Sequence, residues 1–272
     1  MGQELLEVKN LSVSFRMYQS ALKHTLVAGM YDVNLCLGAG EILAVVGASG
    51  SGKSLLAHAL LGILPYNAVT SGEMIYRGTV LDAARQEELR GRELALIPQS
   101  VTYLDPLMRV GKEVCGLYGS PADMAATFRR LHLEEKVQRL YPFQLSGGMA
   151  RRVLFSTAVI TDAALIIADE PTPGMDIKSA VEALQLLREL ADAGKGILLI
   201  THDIDLAVEV ADTVAVFYEG RTVDRVSAAA FRGDGSDLQH PYTQALYHAL
   251  PQNSFKVYSA QEVRQMTEAG GA

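Results

Sequence analysis

Cysteine is nearly missing from this chain: Cys36 and Cys115 are the only two in 272 residues. Two thiols so far apart exclude a disulfide framework and a structural zinc site, both of which need clustered sulfur. Each sits among apolar neighbours, which predicts buried free thiols. Long hydrophobic runs are missing too, since no stretch approaches the roughly 18 apolar residues of a membrane-spanning helix. The opening Met1-Gly2-Gln3-Glu4 has no basic region followed by an apolar run, so no signal peptide is expected. Leu6 stands where a myristoylation motif takes Ser or Thr. Positive charge is in deficit, with 24 Lys and Arg against 31 Asp and Glu, a net charge of −7 and a pI near 5.4. Nucleic acid is therefore not an expected partner, because phosphate binding wants a basic surface. Internal repeats and low-complexity tracts are absent. The expectation is a soluble cytoplasmic chain whose membrane association runs through a partner.

What is present is ordinary globular composition, 49% hydrophobic and 20% charged, in a chain long enough to bury a substantial core. Short apolar runs alternate with longer helical patterns, which predicts an α/β fold with a mostly parallel sheet. Leu6 to Phe15 alternates polar and apolar residues, and Val33, Leu35 and Leu37 continue the pattern after a long loop from Arg16 to Gly29. Together they predict an N-terminal antiparallel β-subdomain. Ile42 to Val46 is solidly apolar, as a strand buried on both faces is. Leu94–Ile97, Leu165–Ala168 and Ile197–Ile200 repeat that pattern. Between Ser100 and Asp162 the periodicity is helical, so residues of about 100–162 are expected to form an α-helical subdomain inserted in the core. Val214–Tyr218 and Thr222–Val226 read as strands meeting at Glu219-Gly220. Gly233 to Asp237 is linker-like. It divides a main domain, residues 1–235, from a C-terminal extension, 236–272. Within the extension His240–Leu250 is helical, and the tail ends in Gly270-Gly271-Ala272 with little to hold it.

Gly47-Ala48-Ser49-Gly50-Ser51-Gly52-Lys53-Ser54 matches the phosphate-loop pattern in full, between a buried strand and a helical run beginning at Leu55. Glycines let successive N–H groups turn toward an anion, and the following helix adds its positive dipole end. Gly47, Ser49, Gly50, Ser51, Gly52, Lys53, Ser54 and Leu55 are the expected nucleotide-binding set. In this set Lys53 faces the β- and γ-phosphates and the Ser54 hydroxyl ligates Mg²⁺. Leu165 to Glu170 is an apolar strand ending in two carboxylates. Asp169 at its tip suits Mg²⁺ held through water, and Glu170 suits a general base on the attacking water. Ser146-Gly147-Gly148 opens another helix and makes a second anion nest, more than one nucleotide needs.

Leu145-Ser146-Gly147-Gly148-Met149 resembles the signature motif of the ABC ATPases, and the likeness runs from the first strand to about residue 250. The resemblance implies a P-loop NTPase core binding ATP and Mg²⁺. It makes Gln99 similar to the Q-loop glutamine that senses Mg²⁺ and faces a membrane partner. Asp176 is similar to the D-loop aspartate that couples the two sites of a dimer, and His202 to the H-loop histidine on the γ-phosphate. Phe15 or Tyr18 would stack on adenine. Ser146, Gly147 and Gly148 would then close the ATP site of a second subunit. Two departures stand out: Pro173-Gly174-Met175 where Thr-Ala-Leu is common, and Ala150-Arg151-Arg152 where Gln-Gln-Arg or Leu-Gln-Arg is usual. Neither removes a catalytic group.

Leu104-Asp105-Pro106 with Val110-Gly111, and His240-Pro241-Tyr242-Thr243, resemble segments of the oligopeptide, dipeptide and nickel importers. Gly62-Ile63-Leu64-Pro65 and Tyr141-Pro142-Phe143 are most similar to nickel-importer ATPase subunits. No cysteine follows Cys115, so the iron–sulfur cluster of some peptide-importer ATPases is not expected. The resemblance implies a peripheral subunit on the cytoplasmic face of the inner membrane. Its partners would be a second, paralogous ATPase, two integral membrane permeases and an extracytoplasmic substrate-binding protein. Its cargo would be nickel, a metal chelate or a small peptide. The alternatives are a soluble ABC ATPase of repair or translation, an exporter cassette, and an inactive cassette, which would lack Glu170 or His202.

Overall fold

The computed structural model describes residues 4–20, 23–117, 119–256 and 258–270. Its strands are β1 (Glu4–Ser20), β2 (Lys23–Gly38), β3 (Ile42–Gly47), β4 (Ala68–Tyr76), β5 (Thr79–Val80), β6 (Leu94–Ile97), β7 (Leu165–Asp169), β8 (Gly196–Thr201), β9 (Thr213–Tyr218) and β10 (Arg221–Ser227). They form two sheets, a four-stranded one in the order β2-β1-β4-β5 and a six-stranded one in the order β10-β9-β3-β8-β7-β6. The first is antiparallel throughout. The second is parallel except at its β10–β9 edge.

The apolar runs occupy the centre of the larger sheet because both of its faces are covered. Along β3, Ile42, Ala44 and Val46 enter one hydrophobic cluster while Leu43 and Val45 enter another. β7 and β8 divide in the same way: Ile166, Ala168, Ile197 and Leu199 point to the first cluster, Leu165, Ile167, Leu198 and Ile200 to the second. Strict alternation into two cores is what a continuous apolar run becomes in a parallel sheet. The first cluster packs against the helix Ile177–Asp192, whose Ala180, Ala183, Leu184, Leu187 and Ala191 are buried at helical spacing. The second lies between the two sheets and takes Leu6, Val8, Leu11 and Val13 from β1.

Residues 100–162 carry the helices Val110–Cys115, Pro121–Arg130 and Gly147–Val159, with no strand among the described residues of that stretch. A core of its own, including Val110, Val114, Phe128, Val153 and Leu154, holds this inserted helical unit together. The helix Pro121–Arg130 starts where expected from chemistry, because Ser120 and Asp123 cap each other's backbone N–H groups. Among the described residues no helix is long and apolar enough to cross a membrane.

Three expectations are corrected. The loop predicted from Arg16 to Gly29 is a continuation of the β1–β2 ladder, with Arg16 opposite Leu26 and Met17 opposite Thr25; residues 21–22 lie outside the described residues. β4 and β5 were not anticipated, and neither was the short helix Ala83–Leu89. Cys36 and Cys115 are free but only partly buried. The Cys36 Sγ sits 2.7 Å from the Arg225 guanidinium. A helix not anticipated, Ala260–Gly270, is anchored by buried Val263 and by an Arg264–Glu219 ion pair at 3.0 Å, while residues 271–272 of the Gly-Gly-Ala end lie outside the described residues.

Candidate nucleotide site

The phosphate loop leaves the C-terminal edge of β3, the place where parallel α/β sheets bind ligands. Two of its glycines have stereochemical reasons to be there. Gly47 has φ +150, and a Cβ on it would lie 2.2 Å from the Phe217 carbonyl oxygen on β9. Gly52 has φ +94 and caps the helix Lys53–Leu61, with a Cβ position 3.0 Å from the Gly29 carbonyl oxygen. Only glycine turns the chain this way so close to neighbouring backbone.

Lys53 is 6% exposed, and its ammonium donates to the carbonyls of Gly47 at 2.8 Å and Ala48 at 2.9 Å. Burial pushes its pKa down, and the nearby Glu170 and Asp169 carboxylates oppose that shift. The lysine thus closes the loop on itself and carries a charge that a phosphate would satisfy better than two neutral carbonyls. Next to it the Ser54 hydroxyl donates to Asp169 Oδ1 at 3.1 Å, bringing the phosphate-loop helix and the tip of β7 together. Asp169 is 4% exposed; burial raises its pKa, and the Ser54 hydrogen bond pulls the other way.

Glu170 follows at once, with φ +47 and a backbone N–H bonded to the Ile200 carbonyl at 2.9 Å. A left-handed glutamate costs about 1–3 kcal/mol, a strain that clusters at functional sites. Its carboxylate is 7% exposed, and His202 Nδ1 lies 2.9 and 2.8 Å from the two oxygens, so the ring N–H at Nδ1 points at the carboxylate. His202 is largely exposed and lines a second, shallow groove with Thr172, Pro173, Gly174 and Met175.

A cleft of about 430 Å³ is lined by Ser49, Gly50, Gly52, Lys53, Ser54, Leu55, Gln99 and Glu170, closed on one side by Ala28 and Gly29 of β2. Most of the residues expected from the phosphate loop therefore meet in one place, with Gln99 and Glu170 opposite them. The Ser54 hydroxyl, bonded to the Asp169 carboxylate, lines the same cleft as the Gln99 amide. These hard oxygen donors fit Mg²⁺. Among the described residues no group of three or more His, Cys, Asp or Glu converges on a metal position. A cation here would depend on water and phosphate oxygens for its remaining ligands, which is the habit of Mg²⁺.

Other expected residues lie elsewhere. Ser146 caps the helix Gly147–Val159 by accepting from the Met149 N–H at 3.3 Å, and Ser146 and Gly147 are exposed rather than part of the cleft lining. Asp176 caps the helix Ile177–Asp192, accepting from the Ser179 N–H at 3.0 Å and the Ser179 hydroxyl at 2.7 Å, and does not reach the cleft. Phe15 packs behind the wall: a Cβ on Gly29 would lie 2.9 Å from its ring. Tyr18 is 72% exposed, further out on the same hairpin.

Three contributors escaped sequence reasoning. Ala28 and Gly29 build the wall from a segment expected to be loop. Arg151, 7% exposed, donates to the Pro98 carbonyl at 3.0 Å and the Pro173 carbonyl at 3.1 Å, tying the residue before Gln99 to the turn after Glu170. Tyr242 reaches the phosphate loop from the helix Pro241–Ala249. The usable signals were a glycine inside a strand-forming run and an arginine where a glutamine is usual.

A buried parallel strand, a phosphate loop at its end, and a second strand that delivers Glu170 to the same cleft and Asp169 to the Ser54 hydroxyl define a P-loop nucleotide hydrolase with an inserted helical unit. The sequence model described as ABC transporter matches residues 30–173, and the chain belongs to that family as an ATP-binding and ATP-hydrolysing subunit. It is 35% identical over 267 residues to the oligopeptide transport ATP-binding protein OppD of Lactococcus lactis subsp. cremoris, an alignment covering 92% of this chain and 77% of that one. It is 34% identical over 271 residues to the dipeptide transport ATP-binding protein DppD of the same subspecies, covering 92% and 74%. Among solved structures, an ATP-binding cassette dimer bound to ADP and Pi superposes with a TM-score of 0.72 at 24% identity, over 82% of this chain and 99% of that one, a likeness of fold. A structure of an ATP-binding subunit of an ABC transporter superposes with a TM-score of 0.69 at 27% identity, over 84% and 92%.

Proposed function

We propose that this chain hydrolyses ATP to drive import of small peptides, working as one of two cassettes beneath a pair of membrane permeases. The observation that carries the reading is the separation of the two anion nests. The phosphate loop faces its own cleft with Lys53, Ser54 and Glu170, while Ser146 and Gly147 are exposed outside it. Each nest has a ligand only when two cassettes meet head to tail. Ile177, 82% exposed beside Asp176, marks the same open face.

In this reading the triphosphate takes Lys53 away from the Gly47 and Ala48 carbonyls, and the N–H groups of residues 49–54 receive the phosphate oxygens. Ser54, Asp169 and Gln99 would hold Mg²⁺, which would neutralise charge on the phosphates. Glu170 accepts a proton from the attacking water. His202, through its Nδ1–H, keeps that carboxylate aimed and leaves its other ring nitrogen for the γ-phosphate. The partner cassette's signature nest completes the charge stabilisation. Asp176 sits between the two sites, and Phe15 or Tyr18 lies on the side where adenine would rest.

The peptide-transport names of the relatives favour peptides over nickel or a metal chelate as cargo. The same relatives support a system of permeases and an extracytoplasmic binding protein, to which this proposal adds a paralogous second ATPase and a place at the cytoplasmic face of the inner membrane. Residues 1–235 are the ATPase domain, about 100–162 its helical subdomain and 236–272 a C-terminal extension. The test is uptake by the transporter reconstituted with its permeases and binding protein. ATP-dependent accumulation of a labelled short peptide, with none of ⁶³Ni²⁺, is the expected result. Accumulation of nickel alone would overturn the assignment.

A further inference from the structure

The His240-Pro241-Tyr242-Thr243 segment lies in a helix far along the chain from the phosphate loop, yet its tyrosine touches that loop. The Ala48 backbone N–H donates to the Tyr242 hydroxyl at 2.9 Å. Tyr242 is 7% exposed, and its ring lies 4.4 Å from that of Tyr218, at the end of the strand β9 against which Gly47 is packed. Its helix, Pro241–Ala249, is itself pinned. His240 accepts from the Tyr242 N–H at 3.1 Å, and the His240 N–H donates to Asp224 on β10 at 3.2 Å. The hydroxyl is therefore delivered by a seated helix and not by a swinging side chain.

The Ala48 N–H and the Gly47 carbonyl belong to one peptide group. In this structure that group is held at both ends, the carbonyl by Lys53 Nζ at 2.8 Å and the N–H by Tyr242. It follows a glycine at φ +150, so no Cβ on that side resists its rotation. When Lys53 turns to a phosphate, the carbonyl loses its donor. Tyr242 is then what keeps the peptide from rotating and aiming a carbonyl dipole toward the anion. We infer that Tyr242 is a positioning residue for the ATP site: it locks the first peptide of the phosphate loop so that the N–H groups after it stay aimed at the triphosphate. This rests on the reading of the loop as the ATP site and adds a task for the C-terminal extension. A loop ordered before binding has less freedom to lose when the ligand arrives.

The experiment titrates MgATP against the full-length chain and three variants. Tyr242→Phe keeps the ring, its burial and its contact with Tyr218, and removes only the hydroxyl. A neutral hydrogen bond of ordinary net strength corresponds to a roughly two- to tenfold rise in the MgATP Kd. Tyr247→Phe is the structural control. Its hydroxyl, on the same helix, donates to the Gly233 carbonyl at 2.8 Å, remote from the loop. It should lower the melting temperature to a similar degree and leave the Kd alone. Lys53→Ala tests the underlying site and should abolish measurable binding. In the assembled transporter, Tyr242→Phe should raise KM for ATP by the same factor with kcat at saturation retained. A wild-type Kd in Tyr242→Phe, or an equal rise in both tyrosine variants, overturns the positioning role. Wild-type binding by Lys53→Ala overturns the ATP-site reading itself.

Discussion

Glu170→Gln exchanges one carboxylate oxygen for an amide nitrogen in a side chain that is 7% exposed and held 2.8–2.9 Å from His202 Nδ1. The amide has the same shape, and its carbonyl oxygen still accepts from the histidine, so packing and the β7–β8 pairing remain. Only the base is lost. A positioned general base contributes about 10²–10⁴ in rate, which is roughly 2.7–5.4 kcal/mol of barrier at about 1.36 kcal/mol per factor of ten. ATP affinity should be retained or improved, because one negative charge leaves the cleft that receives the triphosphate. The assay is phosphate release by the assembled transporter at saturating MgATP, alongside sizing of the cassettes with MgATP to detect a trapped closed dimer. Hydrolysis within about tenfold of wild type, with normal binding, would refute the assignment of Glu170 as the base.

Two further perturbations test neighbouring parts of the site. Asp169→Asn should raise the melting temperature of the nucleotide-free protein at neutral pH. Burial raises the Asp169 pKa, so its ionised form opposes folding at neutral pH, and the gain should fade as pH falls from the raised folded value toward the ordinary carboxylate range and be absent below it. Thermal scans across pH check this, and a neutral or destabilising change at pH 7 would contradict it. Arg151→Met should lower stability by about 1–3 kcal/mol, because the Pro98 and Pro173 carbonyls lose their donor, partly offset by removal of a buried charge. The urea midpoint reads this, and an unchanged midpoint would show that water replaces the guanidinium without loss.

The parts of the fold legible in the sequence are those whose physics is local. Ile42–Val46, Leu165–Ala168 and Ile197–Ile200 are continuous apolar runs because both faces of their sheet are covered, and that pattern needs no partner to be recognised. β4 was invisible for the opposite reason. Thr70, Ser71, Gly72 and Glu73 interrupt the face that Ala68, Met74 and Tyr76 turn to the core, and the strand forms because β1 offers it a ladder. The hairpin beyond Phe15 is likewise made by pairing, and the tail helix is held by tertiary contact, since Val263, the one buried side chain among its described residues, carries no periodic signal. Within the site, Lys53, Ser54, Asp169 and Glu170 were readable because each belongs to a contiguous motif at the end of a strand. Arg151 and Tyr242 act on loops distant in sequence, and only the folded chain brings them there.

The head-to-tail arrangement is the central claim, and Gly147→Asp addresses it with little steric interference, since a Cβ on Gly147 meets nothing within 4 Å in the single chain. The substitution puts a carboxylate in the signature nest and should leave folding untouched. The measurement combines this variant with its wild-type partner ATPase and permeases and follows each nucleotide site with a photoreactive ATP analogue and phosphate release. The variant chain should still label at its own phosphate loop, while turnover fails at the site built on the partner's phosphate loop. Loss confined to the variant's own site would show that Ser146 and Gly147 act on the nucleotide of their own chain, and the two-cassette mechanism would be wrong.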